Sequence, residues 1–323
     1  MSKHIVVTGA AGMVGSHVAE QLLARGDRVV GVDDLSTGEL ANLAGVLGSD
    51  GFEFIEADAC TLAELPAGTD AVMHLGSPAS PRHFRDLPIE VLRAGSLSTL
   101  NILDLADRTG ATVLFASSSE VYGEPEVHPQ REDYRGSVST LGERACYDEG
   151  KRFSEAALDT YRLRRGLDTR IARIFNTYGP RMRLDDGRIV VTLAQQALRG
   201  EPLTIHGDGT QTRSFCYVDD LAAGLIALLD SDVVEPVNLG NPVEMTVLEM
   251  AELIVAATGS TSDVVFAPRP ENDPSRRCPD ITRARELLGW EPTVAVDDGV
   301  ARTVASIAAM IGAPLPTPAV EAT

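Results

Sequence analysis

Short runs of apolar, β-branched residues alternate with longer amphipathic stretches through the first half of the chain. The short runs are typical of buried strands, and the longer stretches have the spacing of helices that cover a sheet. This alternation predicts a parallel sheet with helices on both faces, which is a doubly wound α/β fold. The predicted strands cover residues 5–8, 28–32, 52–56, 71–74, 112–116 and 168–175. The predicted helices cover residues 12–25, 88–109 and 143–165.

Beyond residue 178 the elements become shorter and are separated by glycine and proline, as at 207–209 and 240–242. Because these residues mark turns, this part predicts a smaller domain made partly of excursions from the main sheet. We therefore predict a Rossmann-type dinucleotide-binding domain over 1–178. A smaller C-terminal substrate-binding domain, partly interleaved with the first, is predicted over 179–313. Residues 314–323 are predicted to form a frayed tail.

The composition excludes several classes of binding partner. The 323 residues carry a formal net charge of −19, and a negative field repels nucleic acid and anionic lipid. No apolar run approaches the roughly 20 residues that span a bilayer, so we predict no membrane partner. The N-terminus leads directly into a strand pattern, which predicts no signal peptide. Four cysteines without Cys-x-x-Cys spacing are typical of free thiols in the cytoplasm, and the six histidines show no metal-ligand pattern, which predicts no metal.

Arginines gather in the second half of this acidic chain. A locally basic pocket in an acidic protein suits a small anionic ligand, whereas surface ion pairs are the alternative explanation. The arginines concerned are Arg181, Arg183, Arg188, Arg213, Arg276 and Arg277.

Glycines recur at Gly9, Gly12 and Gly15, between the first predicted strand and the first predicted helix. This spacing gives a tight turn, a close backbone approach to a pyrophosphate, and a helix N-terminus that faces the negative charge. Asp33 ends the second strand, where a carboxylate accepts hydrogen bonds from ribose hydroxyls and repels a 2′-phosphate. The pattern therefore predicts NAD rather than NADP. Asp58 follows the third strand and either approaches the adenine edge or only makes a turn.

Tyr147 and Lys151 lie four residues apart on a strong helical pattern and therefore share one face. A lysine ammonium beside a phenol stabilises the phenolate and lowers the pKa of the tyrosine, which makes it a usable base. A Tyr-x-x-x-Lys spacing alone is common and usually reflects packing. Its position here, after a strand that ends in Ser117, Ser118 and Ser119, favours the catalytic interpretation.

Together, the glycine spacing, the serines at the strand end and the Tyr147/Lys151 pair resemble the extended short-chain dehydrogenase/reductase family. Further segments are similar to the UDP-glucuronate decarboxylases (UDP-xylose synthases) within it, and the likeness covers nearly the whole chain. These segments are 74–81 (HLGSPASP), 117–123 (SSSEVYG), 144–152 (RACYDEGKR), 173–182 (RIFNTYGPRM), 186–188 (DGR), 211–220 (QTRSFCYVDD), 237–242 (VNLGNP) and 279–281 (PDI).

The resemblance implies a redox cycle on the sugar of a UDP-sugar. Ser118 would hydrogen-bond the C4 hydroxyl, and Tyr147 would remove its proton while NAD takes the hydride, with Lys151 supporting the tyrosine. The product is a 4-keto uronic acid, which is a β-keto acid and loses carbon dioxide easily. Protonation at C5 and return of the hydride then leave the cofactor unchanged.

Glu120 and Arg277 are the positions that favour decarboxylation, because the resemblance places them near the sugar carboxylate and the C5 proton. The alternatives are a turn cap for Glu120 and an ion pair with Asp280 for Arg277. The resemblance implies substrate contacts at Pro78, Ser80, Ser118, Ser119, Glu120, Tyr147, Asn176, Arg181, Arg188, Arg213 and Arg277. It implies cofactor contacts at Gly9, Gly12, Met13, Val14, Gly15, Asp33, Asp34, Ser36, Thr37, Gly38, Asp58, Ala59, Leu75, Ser77, Tyr147 and Lys151.

The chain also departs from the family's pattern. Gly95 replaces a usual Asn, Thr192 stands where an Asn meets the diphosphate, and Cys278 replaces a usual Lys. Residues 139–143 (STLGE) differ from the usual Asn-Pro-Ile-Gly. These positions lie around the substrate rather than at the redox centre, so the sugar stays open.

Two other functions compete with decarboxylation. A 4-epimerase on UDP-glucuronate or another UDP-sugar would share Ser118, Tyr147 and Lys151 but keep the carboxylate. A dinucleotide-sensing regulator would be expected to have lost Tyr147 or Lys151, and both are present. The resemblance also implies a homodimer formed through the helices predicted at 88–109 and 143–165.

Overall fold

A parallel sheet of seven strands forms the centre of the computed structural model, which describes residues 2–269 and 276–315. Its strand order is β11-β6-β5-β4-β1-β2-β3, and three two-stranded sheets, β10-β7, β12-β9 and β13-β8, lie outside it within those residues. In chain order the strands are β1 (His4–Thr8), β2 (Arg28–Asp33), β3 (Phe52–Glu56), β4 (Ala71–His74), β5 (Thr112–Ser118), β6 (Thr169–Ile174), β7 (Thr177–Tyr178), β8 (Leu203–His206), β9 (Thr212–Ser214), β10 (Cys216–Tyr217), β11 (Val237–Leu239), β12 (Glu244–Thr246) and β13 (Val264–Ala267).

Helices cover both faces of the large sheet and build a second layer beyond it. In chain order they are α1 (Met13–Ala24), α2 (Pro81–Asp86), α3 (Pro88–Arg93), α4 (Thr99–Thr109), α5 (Ala145–Arg165), α6 (Ile189–Arg199), α7 (Val218–Asp230), α8 (Val247–Thr258), α9 (Thr282–Leu288) and α10 (Val296–Ile311). Short 3₁₀ turns lie at Leu40–Leu43 and Ser119–Tyr122.

Side chains on β1 show why the sheet is buried on both faces. Ile5 and Val7 pack into the core that lies under α1 and α7, whereas Val6 packs into the opposite core under α4 and α5. Successive residues of a strand point to opposite faces, so a continuous apolar run serves two cores at once. The α/β fold with helices on both faces is therefore as predicted.

The strand order reverses at β1, which pairs with β2 on one side and with β4 on the other. In an open parallel sheet this reversal leaves a crevice at the carboxyl ends of the two central strands, where ligands bind. The residues that follow β1, β4 and β5 open onto this crevice.

A separate apolar core lies in the later part of the chain, between α6, α8 and α10. It is centred on buried residues such as Val191, Ile254 and Val304. Two later elements join the large sheet instead, since β11 pairs with β6 and α7 packs on α1. We propose that the second domain consists of the elements around this core and that residues 1–178, β11 and α7 form the first.

The predicted helix over 88–109 differs in detail from the structure. A π-helical turn at Ala94–Ser98 separates α3 from α4. At this turn Gly95 lies against Gly150 of α5, and Ser154 donates a hydrogen bond to the Gly95 carbonyl at 2.8 Å. Most of the tail predicted at 314–323 lies outside the described residues.

Candidate active site

One large cleft, with a volume of about 1090 Å³, opens at the sheet reversal between the two cores. All of the residues predicted to bind cofactor or substrate line this cleft. The fold thereby brings together residues that lie more than 250 positions apart in the sequence, such as Gly9 and Arg277. The individual roles of these residues stay predictions, and their local geometry bears on each of them.

The glycine turn between β1 and α1 is packed too tightly for side chains. A Cβ on Gly15 would lie 2.1 Å from the Gly9 carbonyl oxygen, and one on Gly9 would lie 2.6 Å from the Gly76 Cα. Gly9 also has a φ of 70°. Gly12 caps α1 without a side-chain hydrogen bond, so the first N–H groups of the helix face the cleft. This arrangement fits a pyrophosphate, as the spacing predicted.

Asp33 lies beside this turn at the end of β2. Its two carboxylate oxygens accept hydrogen bonds from the backbone N–H groups of Ala11 and Leu35, each at 2.9 Å. Burial raises the pKa of Asp33, and the two backbone donors oppose that effect. A Cβ on Gly38 would lie 2.8 Å from the same carboxylate, so the loop closes directly over it. Asp33 thus shapes the loop as well as offering oxygens to a ribose.

His74 forms side-chain hydrogen bonds beside the glycine turn, a role that the sequence did not reveal. The Ser98 hydroxyl donates to the Ala94 carbonyl at 2.6 Å and therefore accepts from His74 Nε2 at 3.1 Å. His74 Nδ1 then accepts from the Thr8 hydroxyl at 2.7 Å. Burial lowers the pKa of His74 to about 3, and the charge of Lys151 adds to this. The neutral ring links β1, β4 and the π-helical turn.

The predicted catalytic pair lies on the buried side of α5. The Lys151 ammonium donates to the Ala116 carbonyl at 2.8 Å and lies 5.4 Å from the centre of the Tyr147 ring. Tyr147 is hydrogen-bonded to Ser118, which ends β5. The phenol, the serine hydroxyl and the ammonium are therefore close together in the cleft, as predicted.

The pKa of Tyr147 differs from the prediction. Burial raises it to about 12, and the negative charge of Glu120 adds to that effect, while the Ser118 hydrogen bond opposes it. Burial also lowers the pKa of Lys151 to about 7. The expected lowering of the Tyr147 pKa is therefore not met in the protein alone, because burial of the phenol outweighs the favourable interactions around it. Tyr147 needs additional positive charge in the cleft to ionise.

Glu120 lies in the 3₁₀ turn after Ser118 and is held by two arginines. Arg277 contacts both carboxylate oxygens, one of them through Nη2 at 2.9 Å, and Arg144 Nη2 lies 2.5 Å from Oε2. Burial alone would raise the pKa of Glu120, but the two guanidinium groups outweigh it and hold the pKa at about 2. Glu120 is therefore a carboxylate at neutral pH. Asp280, the alternative partner of Arg277, instead accepts from the Thr282 N–H at 2.8 Å.

The segment that carries Arg277 is fixed from outside the cleft. The Gln130 side chain accepts from the Cys278 N–H at 2.9 Å, and the Gln130 N–H donates to the Cys278 carbonyl at 2.8 Å. The Ser214 N–H donates to the carbonyl of Arg277 itself at 3.3 Å. These backbone contacts place the guanidinium opposite Glu120.

Other predicted substrate residues border the cleft from both domains. Arg188 caps α6 and pairs with Asp186 at 2.5 and 2.8 Å, close enough to Tyr147 to interact with it electrostatically. Arg213 on β9 donates to the Thr212 carbonyl at 2.8 Å. Ser80 caps α2 by accepting from the His83 N–H, so it has a structural part as well.

A strap formed by residues 181–185 crosses the cleft between the two sides of the sheet. On one side, Arg181 Nη2 contacts Glu20 of α1 at 2.5 Å, and Arg183 Nη1 donates to the Thr37 carbonyl at 3.2 Å. On the other side, Arg82 of α2 contacts Asp185 at 3.0 Å. The predicted substrate residue Arg181 thus lies towards α1, on the cofactor side.

Sequence reasoning missed three side chains that border the reacting groups. Phe84 stacks on the Tyr147 ring with centroids 4.7 Å apart, and the Arg144 guanidinium lies 5.5 Å from the Phe84 ring. Asp148 is buried next to Tyr147, with Arg144 3.9 Å away. In the sequence, Arg144 and Asp148 were marked only by their place in segment 144–152, which resembles the family but gave no role to either residue.

The part of the chain that the structure describes shows neither a candidate membrane span nor a candidate metal site. Among residues 2–269 and 276–315, no helix is both long enough and apolar enough to cross a membrane. In the same residues no group of three or more His, Cys, Asp or Glu side chains is arranged to hold a metal ion.

The chain belongs to the NAD dependent epimerase/dehydratase family, whose sequence model matches residues 5–240. The predicted enzyme class, the extended short-chain dehydrogenase/reductases, is thereby confirmed, as is NAD as the cofactor.

Within that family, the chain is similar to UDP-glucuronic acid decarboxylase 1 of Danio rerio, at 48% identity over 302 residues that cover 94% of this chain and 72% of that protein. The Arabidopsis thaliana protein UDP-glucuronic acid decarboxylase 1 is 47% identical over 93% of this chain and 68% of its own length. Among solved structures, UDP-glucuronic acid 4-epimerase from Bacillus cereus in complex with UDP-glucuronic acid and NAD has a TM-score of 0.87. It is 28% identical, over 95% of this chain and 99% of that chain.

Proposed function

We propose that this protein is an NAD-dependent UDP-glucuronate decarboxylase, which forms UDP-xylose through a 4-keto intermediate. The observation that carries the proposal is the Glu120–Arg277 pair beside Tyr147, since both residues line the cleft with the redox pair. The 48% identity to a protein named UDP-glucuronic acid decarboxylase supports the same conclusion.

The residues of the first domain fit the cofactor. The glycine turn and the open N-terminus of α1 would hold the pyrophosphate, Asp33 the adenosine ribose, and Tyr147 with Lys151 the nicotinamide ribose. When bound there, NAD would supply a hydride acceptor for C4 of the sugar and a cationic ring whose positive charge favours a phenolate.

Tyr147 takes the proton of the C4 hydroxyl, while Ser118 orients that hydroxyl through the hydrogen bond it already makes to the phenol. Lys151 lies behind the ring and adds positive charge when protonated. Phe84 packs against one face of Tyr147, so the phenol has one orientation. These contacts prepare the base before the sugar arrives.

The resulting 4-keto acid loses carbon dioxide by breaking the C5–C6 bond. The electron pair of that bond passes into an enolate on C5, C4 and the ketone oxygen, which Tyr147 and Ser118 stabilise as donors. Arg277 and Arg144 carry two positive charges around the single charge of Glu120, so the substrate carboxylate meets a net positive site. C5 of the enolate then takes up a proton from a solvent water on the side of Glu120, which restores the ketone. Tyr147 returns its proton to the C4 oxygen as the hydride returns to C4.

A 4-epimerase is the second candidate. Its specific support is the likeness to the Bacillus cereus UDP-glucuronic acid 4-epimerase, whose identity of 28% is well below that of the decarboxylases. An epimerase would form the same ketone but rotate it within the cleft and keep its carboxylate. The two functions differ in product mass, so one assay separates them.

The test is to incubate the purified protein with UDP-glucuronate and to follow the sugar nucleotide by mass spectrometry and proton NMR. Loss of a mass equal to carbon dioxide with a xylo-configured sugar is the expected result. An unchanged mass with a galacto-configured sugar would establish the epimerase instead. The Tyr147→Phe variant is the matched control, since it keeps the cleft but lacks the base.

We also propose that the protein is a homodimer that forms through α3, α5 and the π-helical turn between α3 and α4. Several large apolar side chains on these elements are exposed in the described chain, namely Ile89, Leu92, Leu97, Phe153 and Leu163. The elements that carry them pack on one another, and exposed apolar side chains that gather on neighbouring elements mark an interface. Phe153→Asp should shift the mass measured by light scattering to that of one chain. The cytoplasmic location stays a prediction that cell fractionation would test.

A further inference from the structure

Arg144 contacts both Glu120 and Phe84, and Phe84 in turn stacks on the catalytic Tyr147. Arg144 immediately precedes α5, and its carbonyl accepts the N–H groups of Tyr147 at 3.0 Å and Asp148 at 3.1 Å. Its backbone therefore starts the helix that carries the base. Its side chain turns away from the helix and reaches Glu120, with Nη2 2.5 Å from Oε2.

The guanidinium of Arg144 is fixed on a second side by stacking. It lies 5.5 Å from the centre of the Phe84 ring, and Phe84 stacks on Tyr147 at 4.7 Å with the ring planes 26° apart. Phe84 therefore contacts both the Arg144 guanidinium and the Tyr147 ring. A guanidinium attracted to an aromatic face has a preferred plane, which limits where its N–H groups can point.

Arg277 cannot keep all of its hydrogen bonds to Glu120 while it also binds the substrate carboxylate. Both of its terminal nitrogens contact Glu120, so any contact it makes to a substrate carboxylate takes hydrogen bonds from this pair. Arg144 is then the cation that keeps Glu120 in place. A carboxylate left buried with no cation would have a raised pKa and would be free to turn.

We propose that Arg144 is a positioning residue, which holds Glu120 in its reactive orientation when Arg277 engages the substrate carboxylate and which ties that carboxylate to Tyr147 through Phe84. The inference rests on the proposed decarboxylase function and concerns the same cleft. It assigns to Arg144 an effect on the rate after binding rather than on binding itself.

The charged and titratable groups that face Glu120 come from two elements. Arg277 approaches from the segment after residue 275, and Arg144, Tyr147 and Asp148 approach from the start of α5. Asp148 interacts unfavourably with Glu120, and Arg144 favours the ionised form of both. Removal of Arg144 therefore leaves two carboxyl groups with one shared cation.

The experiment compares Arg144→Gln, Glu120→Gln and the double variant, with Arg144→Lys as the conservative change. Arg85→Gln is the matched control, because Arg85 is also next to the cleft but is exposed and pairs only loosely with Glu143, at 3.6 Å. For each protein, kcat and KM for carbon dioxide loss from UDP-glucuronate are measured by mass spectrometry, which detects slow variants over long incubations. Circular dichroism checks that each variant is folded.

Arg144→Gln should lower kcat about tenfold to a hundredfold, with KM changed less than about threefold. The double variant should be no more than about twofold slower than Glu120→Gln, because Arg144 acts through Glu120. Arg144→Lys should recover most of the rate, and Arg85→Gln should match the wild type.

If the factor by which kcat falls in the double variant equals the product of the factors for the two single variants, the inference is overturned. Arg144 would then act independently of Glu120. A rate for Arg144→Lys as low as that of Arg144→Gln would also overturn the inference. If the wild type converts UDP-glucuronate without losing carbon dioxide, the proposed function is refuted instead. A decarboxylating wild type with a fully active Arg144→Gln variant refutes this inference alone.

Discussion

The close contact between Gly95 and Gly150 should position the catalytic helix, and a single methyl group tests it. A Cβ on Gly95 would lie 2.8 Å from the Gly150 Cα and 3.0 Å from its carbonyl carbon. Ordinary contact begins at about 3.4 Å, so Gly95→Ala must separate the two backbones by about 0.6 Å. Both atoms belong to the backbone of α5, and no flexible side chain can absorb the shift.

The expected cost in stability is modest. Overpacking of this kind costs about 1–3 kcal/mol, whereas alanine is favoured over glycine in a helix by about 1 kcal/mol. The net loss is then about 0–2 kcal/mol, and Tm should fall by a few degrees at most. The activity should suffer more, because α5 carries both Tyr147 and Lys151. A displacement approaching 1 Å at reacting groups can cost about a hundredfold in rate, so we expect kcat to fall at least about tenfold.

Thermal unfolding and the rate of carbon dioxide release measure the two effects separately. Ser96→Ala is the control, since it lies one residue further along the same turn and removes only the hydrogen bond to the Leu92 carbonyl. That control should change stability by less than about 0.5 kcal/mol and kcat by less than twofold. A Gly95→Ala variant with full kcat and an unchanged Tm would refute the reasoning that this contact positions α5.

Three further results are expected. Tyr147→Phe should lower kcat by about 10²–10⁴ while NAD still binds, which calorimetry can check, and a fully active variant would contradict the role of base. Glu120→Gln should suppress carbon dioxide release by a similar factor while the Kd for UDP-glucuronate changes less than about threefold; an equal loss in both would argue for a binding role. Burial raises the pKa of Asp148 to about 7, and its Oδ1 has no hydrogen-bond partner among the described residues. Its ionised form therefore costs stability above that pH, and Asp148→Asn should be more stable than the wild type by about 1–3 kcal/mol at pH 8. Because the wild type takes up the proton as the pH falls, this advantage should shrink towards pH 5, and urea unfolding at both pH values would reveal a constant difference if the explanation is wrong.

Local rules were sufficient for the fold, the glycine turn and the placement of Tyr147 and Lys151 on one helix face, whereas most other cleft residues were implied by the family resemblance. The period of the apolar runs predicted the large sheet, and the strand-to-helix position of Gly9, Gly12 and Gly15 predicted the turn that the structure shows. The four-residue spacing of Tyr147 and Lys151 placed both on the buried face of α5. In each case the neighbours that matter are close in sequence.

Features that depend on distant neighbours could not be predicted in this way. The π-helical turn arises where Gly95 meets Gly150, and no local pattern at 94–98 announces it. The expected lowering of the Tyr147 pKa is not met, because the spacing shows that Lys151 is near but not how deeply the tertiary fold buries the phenol. Arg144 was missed for the same reason, since its partners Glu120 and Phe84 lie 24 and 60 residues earlier.

The position of Arg277 in the sequence, far from the other residues of the cleft, has a consequence for how such enzymes diverge. The family's sequence model matches residues 5–240, a stretch that contains Ser118, Glu120, Tyr147 and Lys151 but not Arg277. The residues that make the ketone and the arginine that faces Glu120 thus lie on separate stretches of the chain. Substitutions after residue 240 can change the fate of a shared intermediate while the residues that form it stay untouched. A new product can therefore evolve in this architecture without rebuilding the chemistry that precedes it.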